Sequence, residues 1–176
     1  IACMYFSAER RSGILHRTFS VLLLVVPTHL LLDALTVYTV NHLDSVPRTA
    51  NDILHRCFIG TMLLVMYLFY QYIAILVEDE TGKPRRLDFV AKFYLAVAIA
   101  AVMVLPITYT ITPLGNYASG YTADICYGSA AVYLLLCVGM MAGNWKQLHS
   151  KKRLAIGAAL LIELTVCLLQ ILHPTW

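Results

Sequence analysis

Five long apolar runs constrain the fold of this chain more than any other feature. They cover residues 19–40, 53–77, 89–109, 125–143 and 154–172, and each has 19 to 25 residues. A helix needs about 20 apolar residues to cross the hydrocarbon core of a bilayer. The strands of a membrane barrel instead show alternating segments of about 10 residues. The runs therefore predict an all-α, polytopic transmembrane helical bundle with five full spans, embedded in the lipid bilayer.

The composition excludes a soluble protein. Of the 176 residues, 60% are apolar and 13% are charged. Soluble domains contain about 45–50% apolar and about 25% charged residues, and a domain of this size cannot hide so much apolar surface. The five cysteines form no CxxC pair and no metal-ligand cluster, so we expect neither a metal site nor a cofactor. Cys57 and Cys126 have similar predicted depths, and a disulfide between them is one expectation.

The basic residues alternate along the chain and predict its orientation. The segments 7–18, 78–92 and 144–153 carry eleven of the 13 Lys and Arg residues, whereas 110–124 carries none. Short loops rich in Lys and Arg stay on the cytoplasmic side. We therefore expect a multi-pass protein of the bacterial cytoplasmic membrane with its basic loops inside. Because the basic residues act as topological signals, nucleic acid is not an expected partner.

The predicted domain covers the whole chain. Residues 1–6 are apolar but too short to span, so they are interpreted as a helix stub, and Trp176 is placed at the outer interface. One additional helix before and one after these spans would give a seven-helix region. Residues 1–176 are therefore interpreted as one transmembrane domain that is a fragment of a larger protein.

Ionisable residues inside the predicted spans are the first candidates for function. A charge at the bilayer centre costs at least about 2.5–3.5 kcal/mol, so such residues usually face the interior of a bundle. His29 and Asp33 lie one helical turn apart in the first run, and Glu163 lies at a similar depth in the fifth. They are candidates for ligand binding or for a switch. The alternative is that they pair with each other and fix the helix register.

A second group of polar residues lies at the predicted outer end. His55 and Arg56 open the second run, and Asp124 precedes the fourth. We expect them to line a pocket open to the outside, with Arg56 available to Asp33 or to Asp124. They are further candidates for ligand binding, and the alternative is again a structural role.

Gly139 and Gly143 form a GxxxG pair in the fourth run. Small residues at this spacing let membrane helices approach closely. The pair predicts packing between neighbouring helices of the same chain, and a homodimer contact is the alternative.

Three sequence features together resemble a known family. Residues 17–19 follow a basic segment, Asp33 lies within the next apolar run, and a polar stretch with Pro47 and Asn51 leads into the second run. This pattern resembles the N-terminal multi-pass sensor region of Firmicutes signalling proteins with a GGDEF output domain. The resemblance implies a helical membrane bundle that controls cyclic di-GMP synthesis by a cytoplasmic diguanylate cyclase domain. That domain is not part of this chain.

The leading functional prediction is a membrane-embedded sensory domain. An unknown small ligand would shift the helices and regulate the cytoplasmic output domain of the same parent chain, which requires different affinities for two states. The alternative is a fragment of a secondary transporter or permease with an intramembrane His/Asp/Glu relay. An intramembrane enzyme ranks last, since no HExxH, GxSxG or Walker-type motif occurs. No catalytic residue is therefore predicted in this chain.

Overall fold

The computed structural model describes residues 13–113 and 115–172, which form a bundle of five helices and one short hairpin. The helices are α1 (Ile14–Val40), α2 (Arg48–Thr81), α3 (Asp88–Val104), α4 (Tyr121–Gly143) and α5 (Ser150–Leu172). Strands β1 (Thr108–Thr110) and β2 (Tyr117–Ser119) pair in antiparallel fashion between α3 and α4. The helical class predicted from the sequence is confirmed. The helix stub at 1–6 and the interfacial Trp176 lie outside the described residues.

Helix α2 is the longest element, and proline and glycine set its limits. It begins at Arg48, directly after Pro47, and therefore starts five residues before the apolar run at 53–77. It ends at Thr81 and is capped by Gly82, whose φ of 68° is left-handed and whose N–H donates to the Glu78 carbonyl at 2.8 Å. Glycine adopts this helix-ending conformation without steric cost. With 34 residues, α2 is about 51 Å long and exceeds the roughly 30 Å bilayer core. Part of α2 would therefore extend beyond such a core.

The structure supports three of the five predicted full spans. Helices α1, α2 and α4 are long and apolar enough to cross a membrane. Helix α3 has only 17 residues, because Leu105 precedes Pro106 and is extended, with φ −71° and ψ 146°. Proline disfavours the helical conformation in the residue before it. The predicted span 89–109 is thus too long, and Tyr109 lies in β1. The fifth run is helical in α5, but α5 is not among the three candidate spans.

Helix α2 lies at the centre of the bundle. It packs against α1, α3 and α4, while α5 packs chiefly against α4. Two apolar clusters hold these helices together. One contains Ile59, Leu63, Ala98, Val102 and Cys126, and the other joins α2 to α4 and α5 through Tyr70, Ile73, Tyr133, Cys137, Ile156 and Leu160, among others. Helix α1 instead leaves Leu24, Leu30 and Leu31 about 60% exposed, as expected for a helix that faces lipid.

The described parts of the basic segments lie together at one end of the bundle, here called the basic end. Lys83 Nζ donates to Asn144 Oδ1 at 2.9 Å, and Lys152 Nζ lies 2.5 Å from Glu80 Oε1. These bonds bring together the carboxyl ends of α2 and α4 and the amino end of α5. At the opposite end, Thr39 donates to Asn51 Oδ1 at 2.7 Å, which ties α1 to α2.

Candidate functional site

A cavity of about 160 Å³ lies between four helices, near the middle of α1 and α4. We call it the Glu163 cavity. Its lining comes from α1, α2, α4 and α5 and consists of Leu22, Val26, Val65, Met66, Phe69, Ala130, Tyr133, Leu134 and Glu163. The cavity is thus apolar and partly open, and Glu163 supplies the one carboxyl group among its described lining residues.

Glu163 has no polar partner within the described part of the chain. It is half-buried, and neither a hydrogen bond nor an ion pair reaches its carboxyl group from those residues. Among the described lining residues, the other side-chain oxygen is the Tyr133 hydroxyl, which already donates to the Ala91 carbonyl at 3.0 Å. A polar group in apolar surroundings costs free energy unless it is hydrogen-bonded. Glu163 therefore gives these helices no polar contact that would stabilise them.

A cluster of tyrosines from α2, α3 and α4 packs around Tyr133, which lines the cavity. The ring of Tyr133 lies 6.2, 6.0 and 5.7 Å from the rings of Tyr67, Tyr70 and Tyr94, respectively. Aromatic pairs at these distances stabilise one another beyond the area that they bury. Together with the hydrogen bond from Tyr133 to Ala91, these contacts hold the Tyr133 side chain in place beside the cavity.

The connection between α2 and α3 is also fixed by polar contacts. The Gln71 side chain donates to Asp88 and accepts a hydrogen bond from Arg85 at 3.1 Å, while Arg85 forms an ion pair with Glu78 at 2.7 Å. Burial opposes ionisation of Asp88, but hydrogen bonds from Lys92 and Gln71 outweigh it, so the pKa of Asp88 lies below its usual value. These contacts tie the end of α2 to the start of α3.

Helix α5 is the least firmly held wall. Of its described side chains, only Ile156 and Leu160 are buried. Its close approach to α4 is at Gly157, where an added Cβ would lie 3.7 Å from the Met141 methyl group. Because α5 packs chiefly against one helix and carries Glu163, it is the wall that can move with the least loss of packing.

His29 lies one helical turn from the cavity residue Val26, but its side chain contacts residues of α2. Its Nδ1 is 3.2 Å from Thr61 Oγ1, and its ring stacks on Phe58 with centroids 4.9 Å apart. The sequence placed His29 and Glu163 at a similar depth, but the structure pairs His29 with α2 instead. Asp33 is half-exposed, and its carboxylate forms no hydrogen bond or ion pair with the described residues.

His55 and its neighbours form a compact cluster at the opposite end. The buried His55 places Nδ1 3.0 Å from the Asn51 carbonyl, and the Tyr109 ring meets it edge-on at 5.2 Å. The Tyr109 hydroxyl donates to Asp52 at 2.5 Å. Burial and the nearby Asp52 carboxylate raise the pKa of Tyr109 above its ordinary value. The cluster connects α2 to the hairpin.

Arg56 caps a helix and does not bind a carboxylate. Its guanidinium donates to the Val102 carbonyl and, at 2.9 Å, to the Leu105 carbonyl, at the end of α3. The last carbonyls of a helix lack partners within the helix, and a cation there also interacts favourably with the helix dipole. The expectation that Arg56 serves Asp33 or Asp124 is therefore wrong. Asp124 is exposed in the first turn of α4, where the helix dipole favours an acidic residue.

Gly139 and Gly143 face away from the other described helices. Both are exposed, and an added Cβ on either glycine would meet nothing within 4 Å in the described part of the bundle. The GxxxG pair therefore makes no contact between the described helices, and the homodimer contact stays a prediction.

No disulfide joins Cys57 and Cys126, although their similar predicted depths would allow one. Cys57 is exposed on α2, whereas Cys126 is buried and donates to Met62 Sδ at 3.2 Å. No group of His, Cys, Asp and Glu side chains suited to a metal ion occurs among residues 13–113 and 115–172.

Most of the cavity lining was not identified from the sequence. Phe69 lies in an aromatic stretch typical of helix packing, and Ala130 lies among small residues, so neither differs from ordinary packing residues. This chain matches no known family model, no curated protein and no solved structure. The chemistry of the Glu163 cavity is therefore the basis for its functional assignment.

Proposed function

We propose that this chain is a membrane-embedded sensory domain in which occupation of the Glu163 cavity moves α5. The observation that carries the proposal is the carboxyl group of Glu163, which has no polar partner among residues 13–113 and 115–172 and borders an apolar cavity between four helices. Ionisable groups inside a membrane are costly, and they usually mark a functional site. An apolar pocket with few polar groups is also the usual form of a small-molecule site.

The basic end provides a route for the signal. Glu80, at the end of α2, accepts hydrogen bonds from Lys152 Nζ at 2.5 Å and from the His149 N–H at 3.3 Å. A shift of α5 relative to α2 would stretch both bonds. A ligand that binds one arrangement of α5 more tightly than the other would change the populations of the two arrangements. The amino end of α5 would then report cavity occupancy at the basic end.

The membrane arrangement completes the proposal. Helices α3 and α5 cross the membrane together with α1, α2 and α4, which gives five spans, and the basic end faces the cytoplasm of a bacterial cell. The alternation of basic and uncharged connections supports this orientation. The output is a cytoplasmic diguanylate cyclase domain in the parent chain, as the resemblance to GGDEF-associated sensor regions implies.

A distance measurement with matched variants tests this proposal. Spin labels at Asp79 and Lys151, both exposed at the basic end, report the separation of α2 and α5 in nanodiscs. Ala130→Leu fills the cavity, whereas Ala131→Leu places the same side chain on the exposed face of α4. We expect Ala130→Leu alone to change the distance distribution. Identical distributions in both variants and the parent chain would contradict the proposal.

The alternative function is a transporter fragment in which Glu163 relays a proton or a substrate. The carboxyl group of Glu163 favours it, because no described residue pairs with this group, but the contacts of His29 with Thr61 and Phe58 do not extend that relay. Proteoliposomes loaded with a pH-sensitive dye distinguish the two functions. Proton flux that disappears in Glu163→Gln would support the transporter and reject the sensor.

A further inference from the structure

The Glu163 cavity is complementary to a positive charge. Its lining contains one carboxyl group and no Lys, Arg or His side chain. A buried charge is tolerated when an opposite charge lies beside it. A bound cation would therefore supply the partner that Glu163 lacks in the described part of the chain.

The aromatic residues of the lining favour the same class of ligand. Phe69 and Tyr133 both border the cavity, and an aromatic ring attracts a cation that lies within about 6 Å of its centroid. Because the Tyr133 hydroxyl is used by Ala91, its ring contributes to the cavity mainly as an aromatic surface. The combination of a carboxyl group with aromatic rings selects a cation over an anion.

The size of the cavity limits the ligand. Its volume of about 160 Å³ is close to the roughly 150 Å³ of an apolar protein cavity that holds benzene. The remaining lining consists of aliphatic side chains and Met66. These surfaces suit an apolar group about as large as one aromatic ring.

We infer that the Glu163 cavity binds a small lipophilic organic ammonium ion, with the charged nitrogen beside Glu163 and the apolar group against Val26, Val65 and Leu134. This inference rests on the proposed sensory role of the cavity and names the class of its ligand. The carboxyl group of Glu163, which a bound cation would keep ionised, and the aromatic rings explain why the ligand is cationic, and the cavity volume explains why it is small.

Binding of benzyltrimethylammonium tests the inference. The chain is placed in nanodiscs of neutral phosphatidylcholine, which avoid attraction of the probe to charged lipid, and titrated calorimetrically against empty nanodiscs. We expect saturable binding that weakens roughly 30-fold in Glu163→Gln, as expected when a charge partner of a cation in a desolvated site is lost. Asp79→Asn removes an exposed carboxylate, so it should bind within about twofold of the parent chain.

Two more variants separate binding from folding. Glu163→Asp keeps the carboxyl group and should retain part of the affinity, whereas Ala130→Leu should abolish binding by filling the cavity. Neopentylbenzene has the same shape as the probe without its charge, so it should compete poorly. Equal competition by neopentylbenzene, unchanged affinity in Glu163→Gln, or no binding to the parent chain at millimolar probe would overturn the inference.

The outcomes also separate this inference from the sensory proposal. If the probe fails to bind but Ala130→Leu still moves α5, the cavity keeps its sensory role and the ligand is not a cation. If the probe binds as expected but Ala130→Leu leaves the α2–α5 distance unchanged, the binding site stands and the sensory role fails.

Discussion

Replacing Arg56 by methionine should destabilise the chain by about 3 kcal/mol. The guanidinium donates to two carbonyls at the end of α3, those of Val102 and Leu105. A hydrogen bond to a charged group contributes about 1.5–3 kcal/mol, and because Arg56 is only half-buried, we take the lower value for each bond. Methionine keeps the apolar stem but has no donor. Arg56→Lys keeps one donor and should lose about half as much.

The free energy of unfolding in lipid–detergent bicelles measures this effect, with SDS as denaturant and circular dichroism as the signal. Arg48→Met is the matched control, because Arg48 is exposed near the start of the same helix. It should change the free energy of unfolding by less than about 0.5 kcal/mol, the usual limit for surface substitutions. If Arg56→Met and Arg48→Met differ by less than this amount, Arg56 does not cap α3, and its assignment as a structural residue is refuted.

Further predictions concern both ends of the bundle. Tyr109 should ionise at a higher pH than an ordinary tyrosine, and Asp52→Asn should lower its pKa in an alkaline absorbance titration; an unchanged pKa would exclude the Asp52 contact. Hydrogen bonds from Lys152 and the main chain lower the pKa of Glu80. The contribution of Glu80 to stability should therefore be complete above the ordinary glutamate pKa of about 4.3. It should disappear as the pH falls through the lowered pKa of Glu80. Unfolding measured against pH should show this loss in the parent chain and not in Lys152→Gln. Cys57 should react with a membrane-permeant maleimide in the folded chain, as peptide mass spectrometry can show, whereas the buried thiols of α4 should react only after unfolding.

The helices could be predicted largely from the sequence because apolar runs report burial in lipid directly. Pro47 and Gly82 also mark the limits of α2 in the sequence. The error in α3 came from following the apolar run through Leu105 and Pro106 to residue 109. The proline was visible, and its effect on the preceding residue is local, so this boundary was predictable in principle.

The partners of the site residues could not be predicted in the same way. The helical rise gives the depth of a residue along its span, but the direction of its side chain depends on how neighbouring helices rotate and pack. Arg56 contacts a carbonyl 46 residues away in sequence, and Cys57 and Cys126 have similar predicted depths but different surroundings. Glu163 was identified because a carboxyl group in an apolar run is itself unusual. The aromatic residues around Glu163 could not be predicted, because their position depends on how α2 packs against α4.

The stability of Glu163→Leu shows whether Glu163 holds the helices together. Glu163 borders an apolar cavity and has no polar partner among the described residues, so we expect it to serve ligand binding and not to hold the helices together. Leucine removes a polar group whose burial without a hydrogen bond costs about 1–3 kcal/mol. Since Glu163 is only half-buried, we expect a gain of about 1 kcal/mol in the free energy of unfolding in bicelles. A decrease of more than about 1 kcal/mol in the free energy of unfolding would show that Glu163 stabilises the fold and would contradict its assignment to ligand binding.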